Sequence, residues 1–535
     1  MAFEVRHLPG DVIGLDAFGR DVLAQRPRPA AFGWSAGAAG ITVPARTAEC
    51  PEHAGALDES IVDREELALA LRAAHPLAAL HPAVERALVR FEDPRATCVV
   101  APVAVGFLGG PLATLVAALH AIALARELER TWARPVVPLV WLASDEHDRA
   151  DAHSVWLVNR HLDLTKSGLA SFGRGARPIG SITLDEHEHH LGAAAAHLAQ
   201  ILPEGPRSAA ALALCVPRAD ETLAEAQRRV LFALLGQHGL LVVEPRHVRE
   251  PLGRALARLV AQADAQLLPP EAAGAPLVFR HVDGRRHALH LANDGVASNF
   301  LHAGEEAQRS GLELAALIAA APQDFSAAPL VEALARELVL PVAATVGDWN
   351  VAHEFAAGAL WRRCAHVPLG VFVPRAQVTL LSQDARAALD KRSVDVELVL
   401  RTRGALPPPP SAERPAVLDR LKALIQRHAL ELKELRADLA LVEKGLAHHL
   451  KRAADENADR VAKILERAER VHANRTGTGR RHDRRITNSL TPRGEPQADV
   501  LSTAQYAAVF GTDWIDALLE ALDPWPSEHL VFAVD

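Results

Sequence analysis

The sequence predicts an α/β fold: a Rossmann-like, parallel-sheet core with inserted connecting segments, followed by a C-terminal α-helical coiled coil. Three observations carry this. Residues 97–143 run strand, glycine turn, long apolar helix, strand. That is the grammar of a βαβ unit, and continuous apolar strands suit a parallel sheet covered on both faces. The alternation returns at 222–266 and again at 338–373. Beyond a proline run at Pro407–Pro410, apolar residues step by three and four positions for more than four heptads, which is a coiled-coil seam.

At 535 residues the chain exceeds one ordinary core, so two or three structural units are expected. Residues 1–95 read as a helical and loop-like segment, with good helix formers at Arg64–Ala73 and Pro82–Phe91. The α/β core is placed at 96–382. Its first strand, Thr97–Val105, enters the turn Gly106–Pro111 (GFLGGP), and the apolar helix Leu112–Glu129 follows. A second strand, Val136–Ala143, ends in the polar cluster Ser144–Asp148 (SDEHD). Helices at Thr222–Gln237 and Arg249–Gln266 flank a short buried strand within Gly239–Pro245. Further strands are expected at Leu338–Val346 and Val367–Val373.

Residues 383–481 are assigned to coiled-coil helices. The seam runs through Leu418, Leu421, Ile425, His428, Leu432, Leu435, Leu439, Val442, Leu446 and His449. It slips near Leu450 and resumes at Val461, Ile464, Ala468 and Val471. One long helix with an apolar stripe is not stable alone, so it must pack on another helix or on a second subunit. Gln383–Leu400 is an intrachain candidate. The helix is expected to end at Asn474–Gly477, before a basic loop holding Arg480, Arg481, Arg484 and Arg485. Residues 482–535 are read as returning to the core, with a helix at Trp514–Leu522 and a strand at His529–Val534.

Hydrophobic residues make up 49% of the chain and charged residues 23%, a globular composition. A net charge of −8 gives no general affinity for nucleic acid. Cys50, Cys98, Cys215 and Cys364 lie far apart without a CxxC pair, which argues against a disulfide framework and fits a reducing cytoplasm. The first residues lack the basic and apolar regions of a signal peptide. The apolar run Leu112–Ala125 falls short of the roughly 17 residues that span a bilayer, so a soluble, cytoplasmic protein is expected.

Two segments carry candidate chemistry. Glycines between strand and helix let a backbone approach a ligand, and the helix N-terminus offers N–H groups to an anion. Gly106, Gly109 and Gly110 therefore shape either a ligand pocket or a plain tight turn. The Asp145–Asp148 cluster stands at the C-terminal end of a parallel strand, the edge where open α/β sheets bind ligands. A histidine between carboxylates there suits a general base, a cation site or an amine binder, and the alternative is a solvated loop. No metal site is expected, since nothing resembles HExxH and hard ions need more oxygen ligands. His187, His189 and His190 in DEHEHH could suit a metal, but the carboxylates alongside and the helical residues after them read as an exposed amphipathic helix.

In this order the segments VGFLGGPLATLVAALHAIALARELE, PVVPLVWLASDEHD, GLLVVEPR, DFSAAPLVEALARELVLP, VFVPRAQVTLL, RRITNSLTPRGEPQADVL and FGTDWIDALLEALDP resemble the bacillithiol-biosynthesis cysteine-adding enzymes. The resemblance spans about residue 90 to the C-terminus. It implies a Rossmann-like core with a dimerising coiled coil, and a ligase that joins the carboxyl group of L-cysteine to the amine of glucosaminyl-malate. An amide made from a free acid needs an activated carboxylate, so ATP with magnesium is the expected cofactor. Partners would be these small molecules and a second copy of the chain, with neither nucleic acid nor membrane. His147, Asp148 and Asp145 would be catalytic. Gly106, Gly109, Gly110, Thr114, Ser144 and Arg375 would bind nucleotide or substrate.

The chain also departs from the family pattern. Pro102-Val103-Ala104 stands where the family has a GQQ stretch, and Ala113 and Ala117 replace a tyrosine and a lysine. Ala328, Glu332 and Arg336 replace an asparagine, an arginine and a glutamine, and Gly347–Val351 (GDWNV) replaces a GGPGE-like stretch. Backbone-shaping residues are kept while substrate-reading side chains are exchanged. A non-catalytic, coiled-coil scaffold or regulator, or a nucleotide-dependent enzyme with another substrate, therefore stands beside the ligase reading.

Overall fold

The computed structural model describes residues 3–13, 63–75, 81–146, 152–169, 177–185, 188–263, 275–293, 298–302, 308–352, 361, 366–367, 371–407, 415–476, 480–526 and 528–534. Two compact units emerge, one of Met1–Leu381 with Glu495–Asp535 and one of Ser382–Gly494. The strands are β1 (Phe3–Pro9), β2 (Thr97–Ala104), β3 (Val136–Ala143), β4 (Ser154–Val158), β5 (Leu164–Gly168), β6 (Leu241–Val243), β7 (Pro276–Val282), β8 (Arg285–Asn293), β9 (Ser298–His302), β10 (Gln308–Ser310), β11 (Phe325–Ala327), β12 (Val342–Gly347), β13 (Val371–Pro374), β14 (Gln377–Ser382) and β15 (Glu528–Val534).

The first unit is built on a five-stranded sheet of order β13-β12-β2-β3-β6, parallel at every pair, as its apolar strands predict. β2 and β3 pair from Thr97↔Val136 to Ala104↔Ala143 and are buried almost throughout. Each carries a proline that a central strand normally rejects, because proline removes a ladder donor. The ladder explains both. Pro102 lies beyond the last pair of β2 with β12, Thr345↔Val100, and Pro138 precedes the first pair of β3 with β6, Leu139↔Leu241. Each proline thus has only one strand neighbour to disappoint.

Helix Leu112–Trp132 follows β2 and is buried without a gap from Leu112 to Ala125. It covers β2, β3 and β12, which is why it is apolar all round rather than striped. Its buried histidine, His120, is satisfied on both nitrogens. Nδ1 accepts from the Ala376 N–H at 3.1 Å, and Nε2 donates to the Pro524 carbonyl at 3.0 Å. Burial holds this imidazole down to about 4, so it stays neutral. No helix among the described residues is long and apolar enough to cross a membrane.

Several boundaries differ from the sequence reading. Helix Pro329–Val339 takes the start of the strand expected at Leu338, and β12 begins at Val342. Val367 lies outside a strand, β13 is described over Val371–Pro374, and helix Arg249–Ala261 stops short of Gln266. The N-terminal segment opens with β1, which pairs antiparallel with β15 from Phe3↔Val534 to Pro9↔Glu528. An antiparallel sheet of order β10-β9-β8-β7-β11 fills the connection between helix Arg249–Ala261 and helix Pro329–Val339.

In the second unit the seam is not one helix. It breaks at Glu443, whose φ/ψ of −155° and 125° are extended, into helices Ala416–Val442 and Lys444–Thr476. These pack on each other. Leu418 and Ala447 are buried, while Leu424, Leu430, Leu435, Leu446, Ile464 and Val471 remain exposed. The expected basic loop is instead helix Arg480–Leu490, held by an ion pair from Asp483 to the buried Arg392 at 2.6 Å. Helices Gln383–Arg392 and Val396–Arg401 pack against that helix.

Candidate functional site

The C-terminal edge of the parallel sheet is where β2, β3, β6, β12 and β13 release the chain. Past β2, Leu108 (φ 54°), Gly109 (φ 80°) and Gly110 (φ 77°) all lie in the left-handed region. A Cβ on Gly106 would stand 2.8 Å from the Gly110 Cα, so the turn needs glycine at 106 for space and at 109 and 110 for conformation. The turn is buried and much of its backbone is bonded within the protein. Gln227, from helix Leu223–Leu235, accepts from the Gly106 N–H at 2.6 Å and donates to the Ala104 carbonyl at 3.2 Å. Phe107 N–H bonds to Ala152, Leu112 N–H to Leu501, and Thr503 N–H to the Gly110 carbonyl. Thr114 is buried beside Gly110, with its N–H on the Pro111 carbonyl. The glycine turn is therefore a packed floor rather than an open cradle.

Past β3, the polar cluster is fixed from two sides. The Gly180 N–H donates to the Ser144 carbonyl and the Ile179 N–H to that of Glu146, both at 2.8 Å. The side chain of Asp145 is held by Arg249, at the start of helix Arg249–Ala261. Both carboxylate oxygens accept from the guanidinium at 2.7 Å, a bidentate pair that is largely buried. The same guanidinium donates to the Phe325 carbonyl at 3.0 Å, so it ties the parallel-sheet edge to β11. His147 and Asp148 lie outside the described residues.

The antiparallel sheet adds groups to this edge. His281 on β7 meets the buried Ser326 hydroxyl at 2.8 Å, and Arg286 on β8 donates to the same hydroxyl at 3.2 Å. The Arg286 guanidinium lies 3.9 Å over the Phe279 ring, and burial brings it down to about 10, against the pull of Asp145 and Glu332. Glu332, buried on helix Pro329–Val339, accepts from the Trp141 indole N–H. Burial pushes its carboxyl up to about 7. The Trp141 hydrogen bond and Arg336 oppose that, while Asp145 and Glu146 reinforce it.

Arg375 stands apart from these groups, just past β13. Its N–H donates to the Gly347 carbonyl at 2.7 Å and its side chain to Asp499 at 2.6 Å. Asp499 and Asp348 hold the guanidinium protonated more firmly than usual against its burial. Arg249, His281, Arg286, Ser326, Glu332 and Gln227 were all missed as site residues. Only Glu332 carried a signal, as a departure from the family pattern. Among the described residues no group of three His, Cys, Asp or Glu could hold a metal ion.

Comparison with known proteins points one way. The chain matches the model of the BshC N-terminal Rossmann-like domain, of bacillithiol biosynthesis, over residues 44–268. It matches the model of the BshC C-terminal coiled-coil domain over residues 410–534. Curated relatives named "Putative cysteine ligase BshC" match over most of their length. The one from Koribacter versatilis is 25% identical over 460 residues, covering 82% of this chain and 84% of the relative. That from Solibacter usitatus is 24% identical over 501 residues, covering 90% and 91%. That from Heliobacterium modesticaldum is 27% identical over 483 residues, covering 83% and 84%. A solved arginyl-tRNA synthetase of Thermus thermophilus overlaps at 15% identity, covering 78% of this chain and 86% of that one, with a TM-score of 0.23, too slight a superposition to bear on fold or function.

Proposed function

Since the chain belongs to the BshC family of bacillithiol biosynthesis, we propose that it is a ligase joining the carboxyl group of L-cysteine to the amine of glucosaminyl-malate. The observation that carries this reading is the polar constellation at the C-terminal sheet edge, where Asp145, Arg249, His281, Arg286 and Glu332 converge from separate elements. Buried charges are costly and persist where they are paired or used. ATP, carried with magnesium, is the activator assigned to the cysteine carboxylate. The phosphate would lie toward Arg375, with Gly106, Gly109, Gly110 and Thr114 forming the floor and Ser144 the wall.

Asp145 has both oxygens on Arg249, which leaves it poorly placed to take a proton. We therefore assign the acceptor-amine proton to His147, with Asp148 beside it. The test is mass spectrometry of purified protein with L-cysteine and glucosaminyl-malate, with and without Mg-ATP. Product should form with ATP, and His147→Ala should lower turnover by about a hundredfold or more without lowering the melting temperature. Unchanged turnover would remove His147 from the mechanism.

A specific observation favours the scaffold alternative. Val103, Ala113, Ala117 and Ala328, which replace the family's polar residues, are all buried, so the edge has lost groups that read a substrate. That reading predicts no rise in melting temperature with ATP, cysteine or glucosaminyl-malate. Either reading uses a homodimer, which we assign to the exposed apolar residues of helices Ala416–Val442 and Lys444–Thr476. Sedimentation equilibrium should give twice the chain mass, and Leu435→Glu with Ile464→Glu should return it to the monomer. A wild-type monomer at micromolar concentration would end the dimer assignment.

A further inference from the structure

We propose that His281 is a substrate-binding residue of this site, its Nδ1–H donating to a carboxylate oxygen of a substrate. The proposal rests on the ligase reading and deepens it. β7 and β11 place the ring: Phe279 pairs with Ser326 and Arg280 with Phe325, so His281 leaves β7 beside the strand that Arg249 ties to Asp145. Ser326 is the ring's hydrogen-bond partner. The Arg286 Nε–H takes one lone pair of the Ser326 oxygen at 3.2 Å, and we assign the hydroxyl proton to the His281 Nε2 at 2.8 Å. Nε2 is then the acceptor, and the ring proton sits on Nδ1.

Among the described residues Nδ1 has no hydrogen-bond partner, and the half-buried ring keeps part of its surface open. The neighbouring charges are Asp145 and Asp324, which favour protonation, and Arg249 and Arg286, which oppose it. Burial and the two guanidiniums prevail, so the imidazole is a neutral donor at physiological pH. Both guanidiniums are held by protein partners. Asp145 and Asp324 offset their charge, so the selectivity lies in the imidazole N–H, which can donate to a carboxylate oxygen and offers nothing to an ammonium group. The carboxylate could belong to L-cysteine or to the malate part of the acceptor, and kinetics with each substrate distinguish them.

Two variants separate binding from mere structure. His281→Gln reaches the Nε2 position, keeps the Ser326 bond and loses the outward donor. His281→Asn places an amide N–H near Nδ1 and gives up Ser326. We expect His281→Gln to raise KM for one carboxylate substrate by about tenfold or more, with kcat within a few-fold, and His281→Asn to restore most of it. Melting temperatures would confirm that both are folded. The opposite order, with glutamine active and asparagine impaired, would make His281 structural and overturn the proposal. So would unchanged KM values in both, or a rise confined to ATP. If the wild type makes no product, the ligase reading fails on its own. His281 is then judged by its 15N resonance in wild-type protein titrated with L-cysteine and with glucosaminyl-malate, where no shift with either overturns the inference.

Discussion

Arg249→Met is expected to lower the stability of the first unit by about 3 kcal/mol, the lower end for breaking a buried ion pair. The pair is bidentate at 2.7 Å on both arms, with side chains 16% and 11% exposed, so water compensates little for its loss. Removing the guanidinium strands the Asp145 carboxylate and also frees the Phe325 carbonyl, bonded at 3.0 Å. Methionine fills similar volume, which confines the cost mainly to electrostatics and hydrogen bonds. Urea denaturation of Arg249→Met, Asp145→Leu and the double variant forms a cycle. The double variant should recover a large part of the loss, because two apolar groups leave no uncompensated charge. A single-variant loss under about 1 kcal/mol would mean the pair is solvated and does not anchor β11 to the parallel-sheet edge.

How much of this was legible depended on how local the determinants are. β2, the glycine turn, helix Leu112–Trp132 and β3 announce themselves, since periodicity and turn residues lie within one βαβ unit. β1 did not, because FEVRHLP becomes a strand by pairing with β15 at the far end of the chain. β8 reads RRHALHLAN, whose arginines and histidines look like a polar loop until β7 and β9 flank it. The coiled coil was legible in type and not in its break. Glu443 is an ordinary helix former, and the nearest warning, Gly445, lies inside the second helix. The site was half legible for the same reason. Asp145 was found by its position at a strand end. Arg249, the β7–β8 pair of His281 and Arg286, and Glu332 come to it from three segments distant in sequence, and of these only Glu332 carried a signal.

Glu332 gives the sharpest pH test. In the unfolded chain its carboxyl titrates near 4.5, whereas burial in the fold pushes it up to about 7. The folded state therefore holds the proton more tightly, and stability from this group is fully present below the unfolded value. It is lost as pH rises toward and through about 7 and is constant above that. A difference of this size corresponds to about 3 kcal/mol. Glu332→Gln keeps an acceptor for the Trp141 N–H while removing the ionisation, so it should be near neutral at pH 5 and stabilising by up to about 3 kcal/mol at pH 8. The wild-type curve alone would not isolate this. His75, His120, His281 and His529 are each held down to about 4, so they withdraw stability as pH falls from their ordinary 6.5. The difference between wild type and variant, by urea denaturation at each pH, cancels that shared slope. It should climb from pH 5 through about pH 7 and level off by pH 8. A flat difference would mean that Glu332 ionises in the fold as it does in water, with the nearby guanidinium of Arg336 neutralising it, and the edge beneath Asp145 would then carry one more charge than proposed.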